Sequence, residues 1–118
     1  MKKFEDERGI IEDLKVGKDW SVTYITFKKG AVRGNHYHKK TIQYDFIASG
    51  KLRCEMVVNG KREVLIANTG DMIEHVPGNA HAYEAIEDSE MISTCHGVRI
   101  GENYEEDTFR LSHEEKLL

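Results

Sequence analysis

Long apolar runs and clustered basic residues are both missing from this sequence of 118 residues. No segment approaches the roughly 18 apolar residues that a transmembrane helix requires, and the N-terminal MKKFEDERGI lacks the apolar stretch of a secretory signal. Lys and Arg, 17 in all, are interspersed with 21 Asp and Glu for a net charge of −4. We therefore expect a cytoplasmic protein that binds neither membranes nor nucleic acid. A locally basic pocket for an anionic substrate stays compatible with this charge.

Cysteine and proline are also scarce. Cys54 and Cys95 lie far apart without C-x-x-C spacing, which predicts two buried thiols in a reducing compartment. A disulfide between them stays open, because it would require their strands to be neighbours. Pro77 is the single proline, and no linker, repeat or low-complexity segment divides the chain. We expect one domain over residues 1–118, with a core small enough that self-association is favoured.

What the sequence does contain is a series of short runs rich in β-branched and aromatic residues, separated by Gly, Asn and Asp. The runs cover residues 20–27, 42–48, 52–58, 63–67, 72–76, 81–86 and 91–100. Asn59-Gly60 favours the positive φ angles of a two-residue hairpin turn, so the runs on either side should pair antiparallel. About eight strands with tight turns predict an all-β antiparallel sandwich or barrel. At the C-terminus, Ser112 and Glu115 fit a capping box and predict a short helical turn.

Three histidines and a glutamine form the candidate functional cluster. Side chains alternate along a strand, so His36 and His38 point the same way. A hairpin at residues 39–41 would bring Gln43 back opposite the pair, and His81 begins a later strand. Three imidazoles and one amide oxygen would make a four-ligand site with positions open for substrate. Such mixed donors suit one divalent ion, Zn, Fe, Mn, Ni or Co, without selecting among them.

The spacing around these residues resembles the two motifs of the cupin superfamily. The first motif, G-x5-H-x-H-x3/4-E-x6-G, is matched with glutamine at its acidic position by Gly30, His36, His38, Gln43 and Gly50. The second, G-x5-P-x-G-x2-H, is matched at Gly70, Gly78 and His81, with Pro77 displaced by one. The resemblance implies an antiparallel double-stranded β-helix, the cupin jelly-roll barrel, with metal ligands His36, His38, Gln43 and His81. An amide in place of a carboxylate would leave the metal more positive and less tightly held.

Shorter matches make the resemblance more specific to sugar chemistry. VRGNHYHK (32–39) is similar to the R-G-x-H-x-H stretch of nucleotide-sugar 3,4-ketoisomerases and to G-N-H-x-H in the cupin domain of capsular polysaccharide assembly proteins. FEDERG (4–9) resembles the F-x-D-x-R-G entry of deoxysugar 3,5-epimerases, and the tail 102–111 resembles the closing strand of the capsular domain. These likenesses imply an isomerase or epimerase that acts during polysaccharide assembly. Such an enzyme would move a proton next to the carbonyl of a nucleotide-linked keto-sugar.

Proton transfer of this kind needs a base at carbon and stabilisation of the enediolate oxygen. The candidate proton carriers are Asp45, Tyr83 and His75. Strand alternation points Asp45 and Tyr83 inward, whereas the displaced proline leaves the direction of His75 open. Asp45 as an orienting partner of a ligand, and Tyr83 as a core aromatic, are the structural alternatives. The candidate substrate-binding residues are Arg33, Arg53 and His96, of which the arginines suit a phosphate or a uronic carboxylate, or lie on the surface.

Two further function classes remain open. One is another metal-dependent cupin enzyme, either a converter of uronic-acid sugars or an Fe-dependent oxygenase. The other is a non-catalytic sugar- or metal-binding module beside a larger enzyme. The polar character of the inward residues favours a sugar over the apolar cavity usual for oxygenases. We also expect a homodimer, since cupins of this size usually hide one outer sheet face against a partner.

Overall fold

The computed structural model of the chain describes residues 2–97 and 107–118. These residues form eleven β-strands and no α-helix, and among them no helix is long and apolar enough to cross a membrane. The strands are β1 Lys3–Asp6, β2 Gly9–Val16, β3 Trp20–Phe27, β4 Val32–Tyr37, β5 Ile42–Ser49, β6 Lys51–Val58, β7 Lys61–Asn68, β8 Met72–His75, β9 His81–Ala85, β10 Ser89–His96 and β11 Phe109–Arg110.

The strands build two antiparallel sheets that face each other. The six-stranded sheet has the order β1-β2-β3-β10-β5-β8, and the five-stranded sheet has the order β11-β4-β9-β6-β7. The predicted all-β antiparallel fold is thus confirmed. The predicted barrel, however, is not closed by strand pairing within the described residues. At the turn Asn68–Asp71, where Asp71 N donates to Asn68 O at 2.9 Å, the chain passes from the five-stranded sheet to the six-stranded sheet.

The predicted hairpin turn is confirmed at Asn59-Gly60. Both residues have positive φ, 52° and 76°, and Val58 pairs directly with Lys61. Positive φ at both central positions gives a turn whose twist matches that of the flanking strands. The pairing of β6 with β7 therefore follows from two residues of local sequence.

The N-terminal hairpin of β1 and β2 was not among the predicted runs. Its strands lie at one end of the six-stranded sheet and are only partly buried, so they lack a clear alternation of apolar and polar side chains. The run predicted over 91–100 corresponds to β10, which begins two residues earlier, at Ser89, and ends at His96. Residues 98–100 of that run lie outside the described residues, as does the 102–106 part of the tail.

The core fills the space between the two sheets. Its largest fully buried apolar side chains include Ile47, Leu52 and Met91, none of them more than 1% exposed. Cys54 lies on a strand of the five-stranded sheet and Cys95 on a strand of the six-stranded sheet, and both are buried free thiols. Burial, with a further effect from the Asp45 charge, raises the pKa of the Cys54 thiol to about 12. The disulfide that the sequence left open is therefore not formed.

The predicted C-terminal helical turn is wrong. Glu115 N donates to Ser112 O at 3.0 Å and the Ser112 hydroxyl donates to the Glu115 carboxylate at 2.9 Å, which closes one turn without continuing as a helix. The next residues bond elsewhere, because Leu117 N and Leu118 N both donate to Asn35 Oδ1 at 2.8 and 3.2 Å. Leu117 packs against Ala80 and Ala82. Tertiary contacts thus override the local capping signal.

Candidate metal centre

A bulge in β4 decides which side chains of this strand face the interior. Gly34 and Asn35 have φ of 98° and 58°, and the register shifts between Gly34 and His36, which pairs with His81. A side chain at Gly34 would place its Cβ 2.9 Å from the carbonyl oxygen of His81, so only glycine allows this approach. The extra residue puts Arg33 and His36 on the same inward face, although they are three positions apart.

Three histidines converge in the interior, as the sequence predicted. One ring nitrogen from each of His36, His38 and His81 lies within 4.8 Å of the others. The ring centroid of His36 is 4.9 Å from that of His38 and 4.7 Å from that of His81. His38 and His81 are buried, with 2% and 1% of their surface exposed. Imidazoles gathered in this way are typical ligands for a transition-metal ion.

Gln43 completes the cluster from the opposite sheet. The predicted hairpin at 39–41 is wrong, because β4 and β5 belong to different sheets and the turn carries the chain across the interior. Gln43 therefore meets the histidines face to face, with its Oε1 3.2 Å from Nε2 of His38. Gln43 thus lies beside the histidines as predicted, but through a connection between the two sheets and not through a hairpin.

The hydrogen bonds around this contact fix which atoms face each other. His38 Nδ1 lies 2.8 Å from the carbonyl oxygen of Asp107, to which it donates, so the lone pair of the neutral ring is on Nε2. Gln43 Nε2 donates to both carboxylate oxygens of Asp45 at 2.9 Å, so Oε1 is turned toward His38. Two lone pairs 3.2 Å apart repel unless a cation, a proton or a metal ion, lies between them.

The donor set fits a divalent metal ion. Two neighbouring ligands about 2.1 Å from one ion and at right angles lie about 3.0 Å apart, close to the 3.2 Å between His38 Nε2 and Gln43 Oε1. With the histidine trio this gives three nitrogens and one oxygen. The residues that would hold the ion are His36, His38, Gln43 and His81.

Next to the cluster, the three candidate proton carriers form one buried hydrogen-bonded group. The Tyr83 hydroxyl donates to Asp45 Oδ2 at 2.7 Å. His75 Nε2 lies 2.6 Å from the Tyr83 oxygen and 3.1 Å from Asp45 Oδ2. The ring of His75 stacks on that of His81 with centroids 3.9 Å apart. The structure therefore points His75 inward, which the sequence left open.

The ionisation of this group follows from its contacts. Burial opposes the charge of Asp45, but hydrogen bonds from His75, Gln43 and Ser93 outweigh it and lower the pKa of the carboxyl. Burial and the Asp45 charge raise the pKa of Tyr83 well above its usual value. At neutral pH, Asp45 is an anion and Tyr83 keeps its proton. His75 Nε2 then directs its N–H at both the Tyr83 oxygen and Asp45 Oδ2.

The three candidate substrate-binding residues are separated by the structure. Arg33 points inward beside the Phe27 ring, 5.4 Å from its centroid, and donates to the Thr26 carbonyl at 3.1 Å. Its Nε and Nη1 atoms are buried without a hydrogen-bond partner among the described residues. Burial, with the nearby Arg8 charge, lowers the pKa of its guanidinium.

Arg53 and His96 lie elsewhere. Arg53 is on the outer face of β6, paired with Glu55 at 3.0 Å. His96 is on the outer face of β10, edge to face with Tyr44 at 6.0 Å between centroids. Strand alternation sends both side chains away from the interior, so neither joins the histidine cluster.

Sequence reasoning missed the role of Asp107. Its carboxylate accepts hydrogen bonds from the backbone N–H groups of residues 39–41 at 2.8 to 2.9 Å, and its carbonyl holds His38 Nδ1. Sixty-six to sixty-nine residues separate these partners along the chain. No local pattern could have indicated such a contact.

Comparison with known proteins places the fold. The family model described as polysaccharide biosynthesis C-terminal domain matches residues 4–109. The structure is similar to the capsular polysaccharide assembling protein CapF from Staphylococcus aureus, with TM-score 0.78, 21% identity, and coverage of 93% of this chain and 34% of that one. It is also similar to oxalate decarboxylase from Bacillus subtilis, with TM-score 0.81, 21% identity, and coverage of 93% and 30%.

The chain thus spans about a third of the length of these solved structures. No curated protein sequence matches it significantly. The structural likeness, together with the family match, confirms the predicted relation to the cupin superfamily and to capsular polysaccharide assembly proteins. At 21% identity the likeness to these solved structures shows the fold alone, because one fold hosts many chemistries.

Proposed function

The chain belongs to the polysaccharide biosynthesis C-terminal domain family, and we propose that it is a metal-dependent cupin domain. The proposed reaction is the isomerisation or epimerisation of a nucleotide-linked keto-sugar during polysaccharide assembly. The observation that carries this proposal is the convergence of His36, His38 and His81 with the amide oxygen of Gln43. Such a site binds one divalent ion and leaves positions for substrate oxygens.

The identity of the ion stays open among Zn, Fe, Mn, Ni and Co, because three imidazoles and an amide oxygen suit each of them. The similar oxalate decarboxylase has Mn(II) centres, which supports a metal role for the shared fold. When bound, the ion would polarise the substrate carbonyl and stabilise the enediolate charge. The neutral protein ligands would leave its full positive charge for that task.

Proton transfer is assigned to the group formed by Asp45, Tyr83 and His75. Asp45 is the anion of the group, and the other two hold protons that are hydrogen-bonded within 2.6 to 3.1 Å. A group that can take up one proton and give back another is what an isomerisation next to a carbonyl requires. All three side chains belong to residues at most 3% exposed, so the substrate would have to reach them from the interior.

Arg33 is the proposed anchor for an anionic part of the substrate. Its unpartnered Nε and Nη1 atoms lie in the interior on the same strand as His36. A phosphate or a uronic carboxylate would accept a hydrogen bond from Nε or from Nη1, which lie on different edges of the guanidinium. A nucleotide-linked or acidic sugar fits this requirement better than a neutral one.

A non-catalytic binding module is the second candidate function. The chain spans about a third of CapF, as expected of a domain that acts beside a larger partner. The oxygens of Asp45 are already engaged by Gln43 and Tyr83, which favours a structural role for that carboxylate. Such a module would bind a metal ion and a sugar without moving a proton.

Deuterium exchange distinguishes the two candidates. The protein, loaded with Zn²⁺, Mn²⁺ or Fe²⁺, is incubated in D₂O with a panel of keto-sugars and their nucleotide-linked forms, and incorporation next to the carbonyl is followed by NMR. We expect exchange in at least one sugar. Tyr83→Phe should slow it, because a proton carrier is lost, and Tyr24→Phe on the outer sheet face should not. Saturation-transfer signals from a bound sugar without exchange would identify a binding module, and the isomerase proposal would then be wrong.

The partner proposed for the chain is a second copy of itself. The outer face of the six-stranded sheet carries exposed apolar side chains, including Phe46 and Met72 in direct register. The outer face of the five-stranded sheet is covered in part by the chain's own C-terminal residues. A homodimer through the uncovered face would bury this apolar surface.

A further inference from the structure

Gln43 lies between Asp45 and His38, which face opposite ends of its amide, the donor nitrogen and the acceptor oxygen. On one side its Nε2 donates to both oxygens of Asp45 at 2.9 Å. On the other side its Oε1 faces Nε2 of His38 at 3.2 Å. Both neighbours are buried, Asp45 completely. Only the observed orientation, with nitrogen toward the carboxylate and oxygen toward the histidines, lets the amide donate to Asp45 and offer a lone pair to a metal ion beside His38.

A glutamate at position 43 would meet a different situation. Its carboxylate would lie against that of Asp45 at the distance now occupied by the hydrogen bonds, with no proton donor between them. Two like charges in a buried site are strongly unfavourable. The acidic position of the cupin motif and Asp45 therefore cannot both carry a carboxylate at low cost.

We propose that Asp45 is a positioning residue that holds the Gln43 amide with its oxygen toward the metal, and that this pairing is why position 43 carries glutamine. The inference rests on the proposed metal site and adds the reason for its unusual ligand. Positions 43 and 45 then act as one unit with a single negative charge. Glutamate at 43 with asparagine at 45 would be the equivalent unit with the charge exchanged.

The neighbours of Asp45 determine what an asparagine would do there. Tyr83 and His75 both direct donors at Oδ2 of Asp45. Asparagine would turn its only oxygen toward these donors and its NH₂ group toward Gln43. The Gln43 amide would then rotate to accept that hydrogen bond, and its own NH₂ group would point at the histidines. A metal ligand would be lost without any change at the ligand itself.

The test is a charge-exchange cycle read by metal affinity. Zn²⁺ and Mn²⁺ binding are measured by competition with a chelator for the wild type, Asp45→Asn, Gln43→Glu and the double variant Gln43→Glu/Asp45→Asn. We expect Asp45→Asn to weaken binding by about 10- to 100-fold, the usual effect of losing a residue that orients a ligand. The double variant should bind at least as tightly as the wild type, because its asparagine can donate to the carboxylate introduced at position 43 while that carboxylate faces the metal.

Tyr83→Phe is the matched control, since it removes another hydrogen bond to Asp45 but leaves Gln43 in place; it should bind metal within a few-fold of the wild type. Circular dichroism and thermal unfolding of the metal-free proteins supply a second readout, in which the double variant should be more stable than Gln43→Glu. If Asp45→Asn fails to fold while the double variant folds and binds, the pairing is supported.

Two results would overturn the inference alone: unchanged affinity in Asp45→Asn, or a double variant that is as weak as Asp45→Asn. A wild type that binds neither ion would overturn the proposed metal site as well, so the two failures are distinguishable.

Discussion

Each of His36, His38 and His81 brings one donor atom to a common point, and removing one of them should remove the ion. We expect the wild type to purify with, or take up, one divalent ion per chain, and His36→Ala and His81→Ala to lose it, since two remaining imidazoles and an amide bind a transition metal weakly. Elemental analysis of the purified variants measures this. His96→Ala is the control, because His96 is exposed on the outer face of β10. Full retention of metal by His36→Ala would contradict the assignment.

Single residues were predictable where a short-range rule governs them. Alternation along a strand is such a rule, and it pointed Asp45 and Tyr83 inward as observed. It could not reveal that Arg33 shares the inward face of His36, because that depends on the bulge at Gly34 and Asn35. A left-handed Gly-Asn pair within a strand is the signal that could have indicated the bulge.

At the scale of elements, the C-terminal segment is tied to the strand that carries the histidines. The Asp107 carboxylate caps the turn 39–41, and β11 pairs with β4 at Phe109 opposite Tyr37 and Arg110 opposite His36. The lysine of that turn, Lys39, lies over the Phe109 ring at 4.3 Å. The segment therefore supports the site, although it lies far away in sequence.

The Asp107 cap should make this support depend on pH. Burial raises the pKa of its carboxyl, but hydrogen bonds from the Thr41 hydroxyl and the backbone of 39–41 outweigh this and lower it. A lowered folded pKa means that the contribution to stability is present above the unfolded pKa of about 3.9 and is lost as the pH falls through the folded value. We expect Asp107→Asn to lower the free energy of unfolding by about 1–3 kcal/mol at pH 7, with a smaller difference from the wild type below about pH 4.

Urea unfolding of both proteins at pH 7 and at about pH 3.5, just below the unfolded pKa of an aspartate, measures the effect. Asp19→Asn is the control, since Asp19 is exposed and its substitution should leave stability unchanged at both values. A difference between Asp107→Asn and the wild type that stays constant with pH would show that the charge of Asp107 has no part in the cap.

Elements whose signals are local and unopposed were predictable, and those that depend on distant contacts were not. Asn59-Gly60 dictates its turn through backbone conformation alone, and the strands on either side followed. Ser112 N donates to the Glu115 carboxylate at 3.3 Å, the capping-box hydrogen bond that their spacing predicts. No helix follows, because Asn35 holds the backbone of the last two residues.

At the scale of the whole molecule, the two outer sheet faces differ. On the six-stranded sheet, β-strand register aligns Tyr24, Ile92, Phe46 and Met72 in one row across four strands. Phe46 is 38% exposed and Met72 is 59% exposed. On the five-stranded sheet, Leu117 covers Ala80 and Ala82. The five-stranded sheet still exposes Val64 and Ile66 on β7, so its outer face is covered only in part, whereas the row on the six-stranded sheet is continuous across four strands.

A homodimer through this row follows from the burial that it offers and from the small core of a chain of 118 residues. We expect light scattering coupled to gel filtration to give twice the chain mass at micromolar concentration. Phe46→Glu should shift the protein to a monomer, because a two-fold contact would place the introduced charge against the apolar row of both copies. Val64→Lys, a change of similar polarity at an exposed residue of the other sheet, should leave the dimer intact. A monomeric wild type at these concentrations, or a dimer that survives Phe46→Glu, would contradict a dimer built on this face.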